Sequence, residues 1–258
     1  MLTPTFTLTV NGTPTDGGIV TGGGTYAQGT QVTVTATPNA GWIFRSWSGV
    51  CTGSGACVVT MGSSKTVTAT FAVVQHTLTV NASPAQGGIV TGGGTYAQGT
   101  QVTVTATPNA GWIFRSWSGV CTGSGACVVT MGSSKTVTAT FAVVQHTLTV
   151  NPSPANSGTI TGGGTYASGV QVTVSATANS GYVFSNWSGA CSGSSSCVVT
   201  MDSSKTVTAT FVQVQYTLTV SPSPANGGTI TGGGTYASGA QVTVSATANS
   251  GYVFSNWS

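Results

Sequence analysis

The most reactive side chains in this 258-residue sequence are six cysteines in three pairs: Cys51 with Cys57, Cys121 with Cys127, and Cys191 with Cys197. Each pair is Cys-x5-Cys. Two chemistries use such pairs, metal coordination and disulfide formation. A structural zinc site needs four ligands arranged tetrahedrally. His76 and His146 lie far from the pairs, and successive pairs stand 70 residues apart, so no metal site is expected. Disulfides Cys51–Cys57, Cys121–Cys127 and Cys191–Cys197 are expected instead. Closing each short loop is worth about 2–2.5 kcal/mol in the loop-entropy picture. Disulfides also imply an oxidising compartment, whether extracellular, at the cell surface or periplasmic, and of these the extracellular or cell-surface location is expected.

Acid–base or nucleophilic catalysis needs positioned acids, bases and activated nucleophiles. The chain has two aspartates, Asp16 and Asp202, no glutamate and two histidines. Seventy residues on from Asp16 stands Gln86, and Gly62 and Gly132 align with Asp202. His76 and His146 align with Phe6 and Tyr216, so their position reads as an aromatic slot at a strand edge. No serine or threonine has a neighbouring base. No catalytic residue and no cofactor is assigned, and the chain is not expected to be an enzyme.

Binding through aromatic rings is the stronger alternative. Trp42, Trp112, Tyr182 and Tyr252 are candidate glycan contacts, with a host or matrix glycan as the partner. Sugar sites usually combine rings with carboxylates or amides, and only Asn186 and Asn256 offer that here. The plainer reading makes these rings core in a small module short of bulk. Threonine rows such as Thr33-x-Thr35-x-Thr37 suggest an ice- or mineral-binding face. Threonine is, however, an ordinary polar choice in a strand, and twisted modules make poor flat lattices. Asn11-Gly-Thr13, Asn81-Ala-Ser83, Asn186-Trp-Ser188 and Asn256-Trp-Ser258 fit the N-glycosylation pattern, which is broken at Asn151 and Ser221 and reads as chance.

The cysteines and aromatics belong to one stretch, Gly41-Trp-Ile-Phe-Arg-Ser-Trp-Ser-Gly49, which returns at 111–119 and, altered, at 181–189 and 251–258. The period is 70 residues, and residues 17–75 and 87–145 are identical. A period of this size marks a tandem array. The expected domains are 1–75, 76–145, 146–215 and a partial fourth repeat, 216–258.

Within a repeat, alternation marks strands. Thr7-Leu-Thr-Val10 opens it and a proline turn follows (Pro14; Pro152 with Pro154 in the third copy). A Gly-Gly-Ile-Val strand comes next, then a turn over Thr25–Gly29 with one anchoring aromatic, Tyr26. Gln31–Thr37 is the clearest strand. Trp42 and Phe44 share a face, and Trp47 has the opposite parity, so a bulge is expected near Arg45-Ser46. Val58–Met61 and Lys65–Phe71 complete about six strands. The inward set is Leu8, Val10, Val32, Val34, Phe44, Trp47, Val59, Met61, Val67, Ala69 and Phe71. Ala72–Gln75 enters the next repeat without Gly or Pro, predicting a stiff junction. No window has helical spacing with a cap. The fold class is all-β, with small modules forming an elongated rod or fibre.

Five basic and two acidic residues leave a net charge of +3, spread thinly. That excludes a basic nucleic-acid-binding face. No stretch reaches membrane-spanning length, and no signal peptide is visible. The fourth repeat would need 27 more residues to match the others. We expect either a fragment of a longer chain or completion of this module by a neighbouring copy.

Thr-Leu-Thr-Val, Gly-Gly-x-Val, Gly-Gly-Thr-Tyr-Ala-x-Gly, Val-Thr-Val-x-Ala-x-Pro, Gly-Trp/Tyr-x-Phe-x-x-Trp-Ser-Gly, the Cys pair, Val-Thr-Met and Lys-Thr-Val-Thr-Ala-Thr-Phe together resemble the divergent internalin-B-type B repeat. The likeness runs from Phe6 to Ser258. It implies a bacterial secreted or surface protein whose modules stand in tandem as stalk or spacer, a small β-grasp with a short helix, and no catalytic residues.

Overall fold

The computed structural model describes residues 2–258. In the first repeat the alternating segments become seven strands: β1 (Thr5–Thr13), β2 (Gly18–Thr21), β3 (Gly24–Ala27), β4 (Gln31–Pro38), β5 (Trp42–Gly49), β6 (Cys57–Thr60) and β7 (Lys65–Val73). They form two sheets. One is four-stranded, in the order β3-β1-β7-β5, and the other three-stranded, in the order β2-β4-β6. The β1–β7 pair is parallel; β1–β3, β5–β7, β2–β4 and β4–β6 are antiparallel. The same strand order recurs in the second and third repeats.

Alternation explains the core. Along β4, Val32 and Val34 are buried while Thr33, Thr35 and Thr37 face water. Along β7, Val67, Ala69 and Phe71 point inward. With Leu8, Trp47, Cys57, Val59 and Met61 they form one cluster. Val10 and Phe44 pack against its rim, half-buried. Equivalent residues build a separate cluster in each of the next two repeats.

Three expectations need correction. Gly24–Ala27 is a strand, not a turn; its residues pair with Leu8–Thr5 through the backbone, and Tyr26 alone is half-buried, so no alternation betrays it. Each complete module therefore has seven strands. Pro152 lies inside the strand Gln145–Ser153, opposite Ala209, rather than in the turn. At that point the strand has a ladder partner on one side only, where a missing N–H is tolerated. The short helix implied by the family resemblance is absent among the described residues; the one helical segment is the single 3-10 turn Ala85–Gly87. No helix among the described residues is long and apolar enough to cross a membrane.

The chain divides into two compact units between Ala142 and Val143. In the first unit, β7 is followed after Val74 alone by the first strand of the second repeat, Gln75–Ser83. Val74 N–H donates to Gly41 O at 2.8 Å in one repeat, and its carbonyl accepts from Gln98 N–H at 2.8 Å in the next. In the second unit Val214 does the same, bonded to Gly181 O and to Ser238 N–H.

Candidate functional site

The aromatic–cysteine stretch is built on β5. The ladder to β7 runs Trp42↔Val73, Ile43↔Ala72, Phe44↔Phe71, then skips Arg45 and resumes at Ser46↔Thr70 and Trp47↔Ala69. Arg45 is the bulged residue. The extra residue changes the parity of everything after it, so Trp47 turns inward and is buried at 6% exposure. The third repeat has the same shift between Phe184 and Asn186. Phe44 lies between two rings, 4.9 Å from Trp47 and edge-on to Phe71 at 6.2 Å. Both separations are typical of favourable aromatic pairs.

The loop after β5 folds back onto Trp47. Trp47 N–H donates to Gly53 O at 2.6 Å and its indole Nε1–H donates to Gly55 O at 2.9 Å. The buried indole is thereby satisfied by the loop that covers it. Gly49 starts the loop with φ of +97°, and a Cβ there would lie 2.4 Å from Thr66 O, so only glycine fits. Cys51 is disulfide-bonded to Cys57, Cys121 to Cys127 and Cys191 to Cys197, all within their own repeats. Cys57 is a core residue, so the bond ties the loop to the core directly.

The four candidate glycan contacts fall on the rim of this arrangement. Trp42, Trp112 and Tyr182 are half-buried and pack against the core of their own repeats. Tyr252 is more open, at 41% exposure, and lines a concavity of about 360 Å³ together with Phe254 and Trp257. His76 stands across the ladder from Tyr96, and His146 from Tyr166, where Phe6 faces Tyr26 and Tyr216 faces Tyr236. Nε2 of His76 is buried without a hydrogen-bond partner among the described residues, and this imidazole occupies the aromatic slot. Among the described residues, no three His, Cys, Asp or Glu side chains gather as metal ligands.

Charge is equally sparse. Asp202 and Lys205 form an ion pair at 2.9 Å on the third repeat. The lysine hydrogen bond holds the Asp202 carboxyl below its usual range, with help from Ser203 Oγ–H.

Two further residues position this arrangement: Asn39, which sequence reasoning passed over, and Tyr26, read from the sequence as the one anchoring aromatic of its segment. Asn39 Nδ2 donates to Asp16 O at 2.8 Å, tying the turn before β5 to the turn after β1. Tyr26 Oη donates to Gly22 O at 3.0 Å and anchors β3. The signal was present: Asn109, Asn179 and Asn249 make the same bond, as do Tyr96, Tyr166 and Tyr236.

The sequence model of the divergent InlB B-repeat domain matches residues 7–75, 78–145, 146–215 and 216–258. A search of the curated proteins returned no match.

Proposed function

The chain belongs to the divergent InlB B-repeat family, and from that premise we propose that it is a non-enzymatic structural repeat protein of a bacterium, extracellular or at the cell surface. It serves there as a surface stalk, adhesin spacer or fibre-forming subunit, with neighbouring copies or further repeats of a longer chain as its partners. The observation that carries this reading is the junction. One residue, Val74 or Val214, separates the last strand of a module from the first strand of the next, and its two backbone polar groups are held by different modules. A linker with no free residue transmits orientation, whereas flexible linkers of several residues lose it. The disulfides fit an oxidising compartment, and the near-absence of ionisable side chains leaves catalysis without reagents.

The test has two arms. Small-angle scattering on chains of one, two and three modules should give a maximum dimension that rises in proportion to module number. Inserting Gly-Gly-Ser-Gly-Gly after Val74 should abolish that proportionality; no change on insertion counts against the stiff spacer. In the second arm, a glycan array showing saturable binding that Trp42→Ala removes from a folded protein would replace this reading with a glycan-binding module.

A further inference from the structure

The topology places the first and last strands of each complete module side by side, with the entry and exit of the chain at opposite ends of the pair. The chain enters through β1 and leaves through β7, and these are the two central strands of the four-stranded sheet. They run parallel, from Leu8↔Lys65 to Thr13↔Thr70. The same six pairs recur from Leu78↔Lys135 to Ser83↔Thr140, and from Leu148↔Lys205 to Ser153↔Thr210.

We propose that each complete module is a mechanical clamp that bears end-to-end tension by shear of its β1–β7 ladder. Tension on the entering chain draws β1 toward its own N-terminus, and tension on the leaving chain draws β7 toward its own C-terminus. In a parallel pair these displacements are opposed along one axis. No ladder bond can then be peeled ahead of its neighbours, and all are loaded together. Side chains resist the slip as well. Leu8, Val67, Ala69 and Phe71 are at most 3% exposed, and a one-residue shift of register would carry threonines into their places. The junction delivers the load, because Val74 leaves no slack between β7 and the next module's first strand. Residues 216–258 lack this device. Their first strand, Gln215–Leu218, pairs with Gly234–Ala237 alone. The inference rests on the spacer reading for its biological use but not for its geometry: weak modules would leave the spacer standing, and a glycan-binding module could still be a clamp.

The experiment is single-molecule force spectroscopy of the full chain held by its two termini. Three unfolding events of similar force are expected, with residues 216–258 opening below them. Moving the second handle to the Gly62-Ser63-Ser64 turn loads the first module's ladder from one end, so its bonds open in succession. The unfolding force of that module should fall by about twofold or more, because forced opening follows the unfolding barrier along the pulled direction. Equal forces in the two geometries, or a fourth event matching the three, overturns the proposal. A reducing agent should lengthen each event by about 15 Å, six residues of about 3.5 Å less the 5.6 Å between the Cys51 and Cys57 Cα atoms, with no change in force. A force that drops on reduction would place the resistance in the disulfide loop and likewise overturn it.

Discussion

Residues 171–188 and 241–258 have the same eighteen-residue sequence, Gln-Val-Thr-Val-Ser-Ala-Thr-Ala-Asn-Ser-Gly-Tyr-Val-Phe-Ser-Asn-Trp-Ser, and they fold differently. In the third repeat this stretch holds the strand Gln171–Ala178 and all but the last residue of Tyr182–Gly189. In the fourth it holds only Ser245–Ala248. The residues that remain a strand are those paired antiparallel with Gly228–Thr231 of the same repeat. The residues that do not, 241–244 and 252–258, correspond to 171–174 and 182–188, whose partners are Thr200–Cys197 and the strand Lys205–Gln213. Trp187 is 5% exposed and Trp257 is 51% exposed. Strand propensity is the same in both copies, so the difference isolates what the partner strands contribute. One feature survives without them: the Phe254–Trp257 rings are 5.0 Å apart, against 4.9 Å for Phe184–Trp187. That contact is set locally, and burial is not.

The comparison is sharpest if the missing partners are supplied. In a chain extended past Ser258 by a copy of residues 189–214, residues 241–244 should join a ladder and Trp257 should become buried. Amide exchange at 241–244 should then slow to the level of 171–174, and tryptophan emission should move to the blue. Unchanged exchange would show that sequence outside these strands decides the fold. Next in size is truncation of the two equivalent indoles. Trp187→Ala removes a buried ring and should cost about 3–5 kcal/mol, while Trp257→Ala, half exposed already, should cost less than about 1 kcal/mol. Urea titration followed by amide exchange on each repeat separates the two, and equal costs would break the argument from burial.

The same contrast explains what the sequence made legible. The inward set could be read because period-two alternation survives wherever a strand has one wet face, as in Val32-Thr-Val34 and Val67-Thr-Ala69-Thr-Phe71. The bulge at Arg45 followed from parity alone, since Phe44 and Trp47 cannot share a face of a regular strand. The strand Gly24–Ala27 was hidden because it is held by backbone pairing and one tyrosine, and Pro152 misled because its strand is open on one side there. The lack of Gly and Pro marked the short junction, whereas the two hydrogen bonds of Val74 are a relation between distant residues that no local pattern records. The disulfide pairs were plain from spacing, whereas the docking of their loop on the Trp47 indole was not.

Third in size is the disulfide. Cys191→Ser with Cys197→Ser should lower the stability of the third module by about 2–2.5 kcal/mol, by releasing the loop entropy of the unfolded chain. Residues 216–258 contain no cysteine and should show no response. Denaturant midpoints read by amide exchange in each repeat would check both halves, and a loss shared equally by the fourth repeat would mean that the modules do not unfold independently.

The smallest effect separates modules that are otherwise nearly the same. At the turn before its last strand, the third repeat has Asp202 where the first two have Gly62 and Gly132. Lys205, a lysine present at this position in all three, is 2.9 Å away. The pairing lowers the folded carboxyl's pKa below its unfolded value of 3.8. A lowered carboxyl pKa stabilises the fold above the unfolded value, and that contribution disappears as pH falls through the folded value. The third module alone should therefore soften on acidification below about pH 4. Asp202 is exposed, so solvent screens the pair and the change should be slight, weaker still in high salt. Melting followed by amide exchange from pH 7 to pH 2 should show the third repeat losing stability relative to the first two at low salt. Asp202→Asn should remove that difference. If the first and second repeats soften equally over this range, the acid response does not come from the Asp202–Lys205 pair.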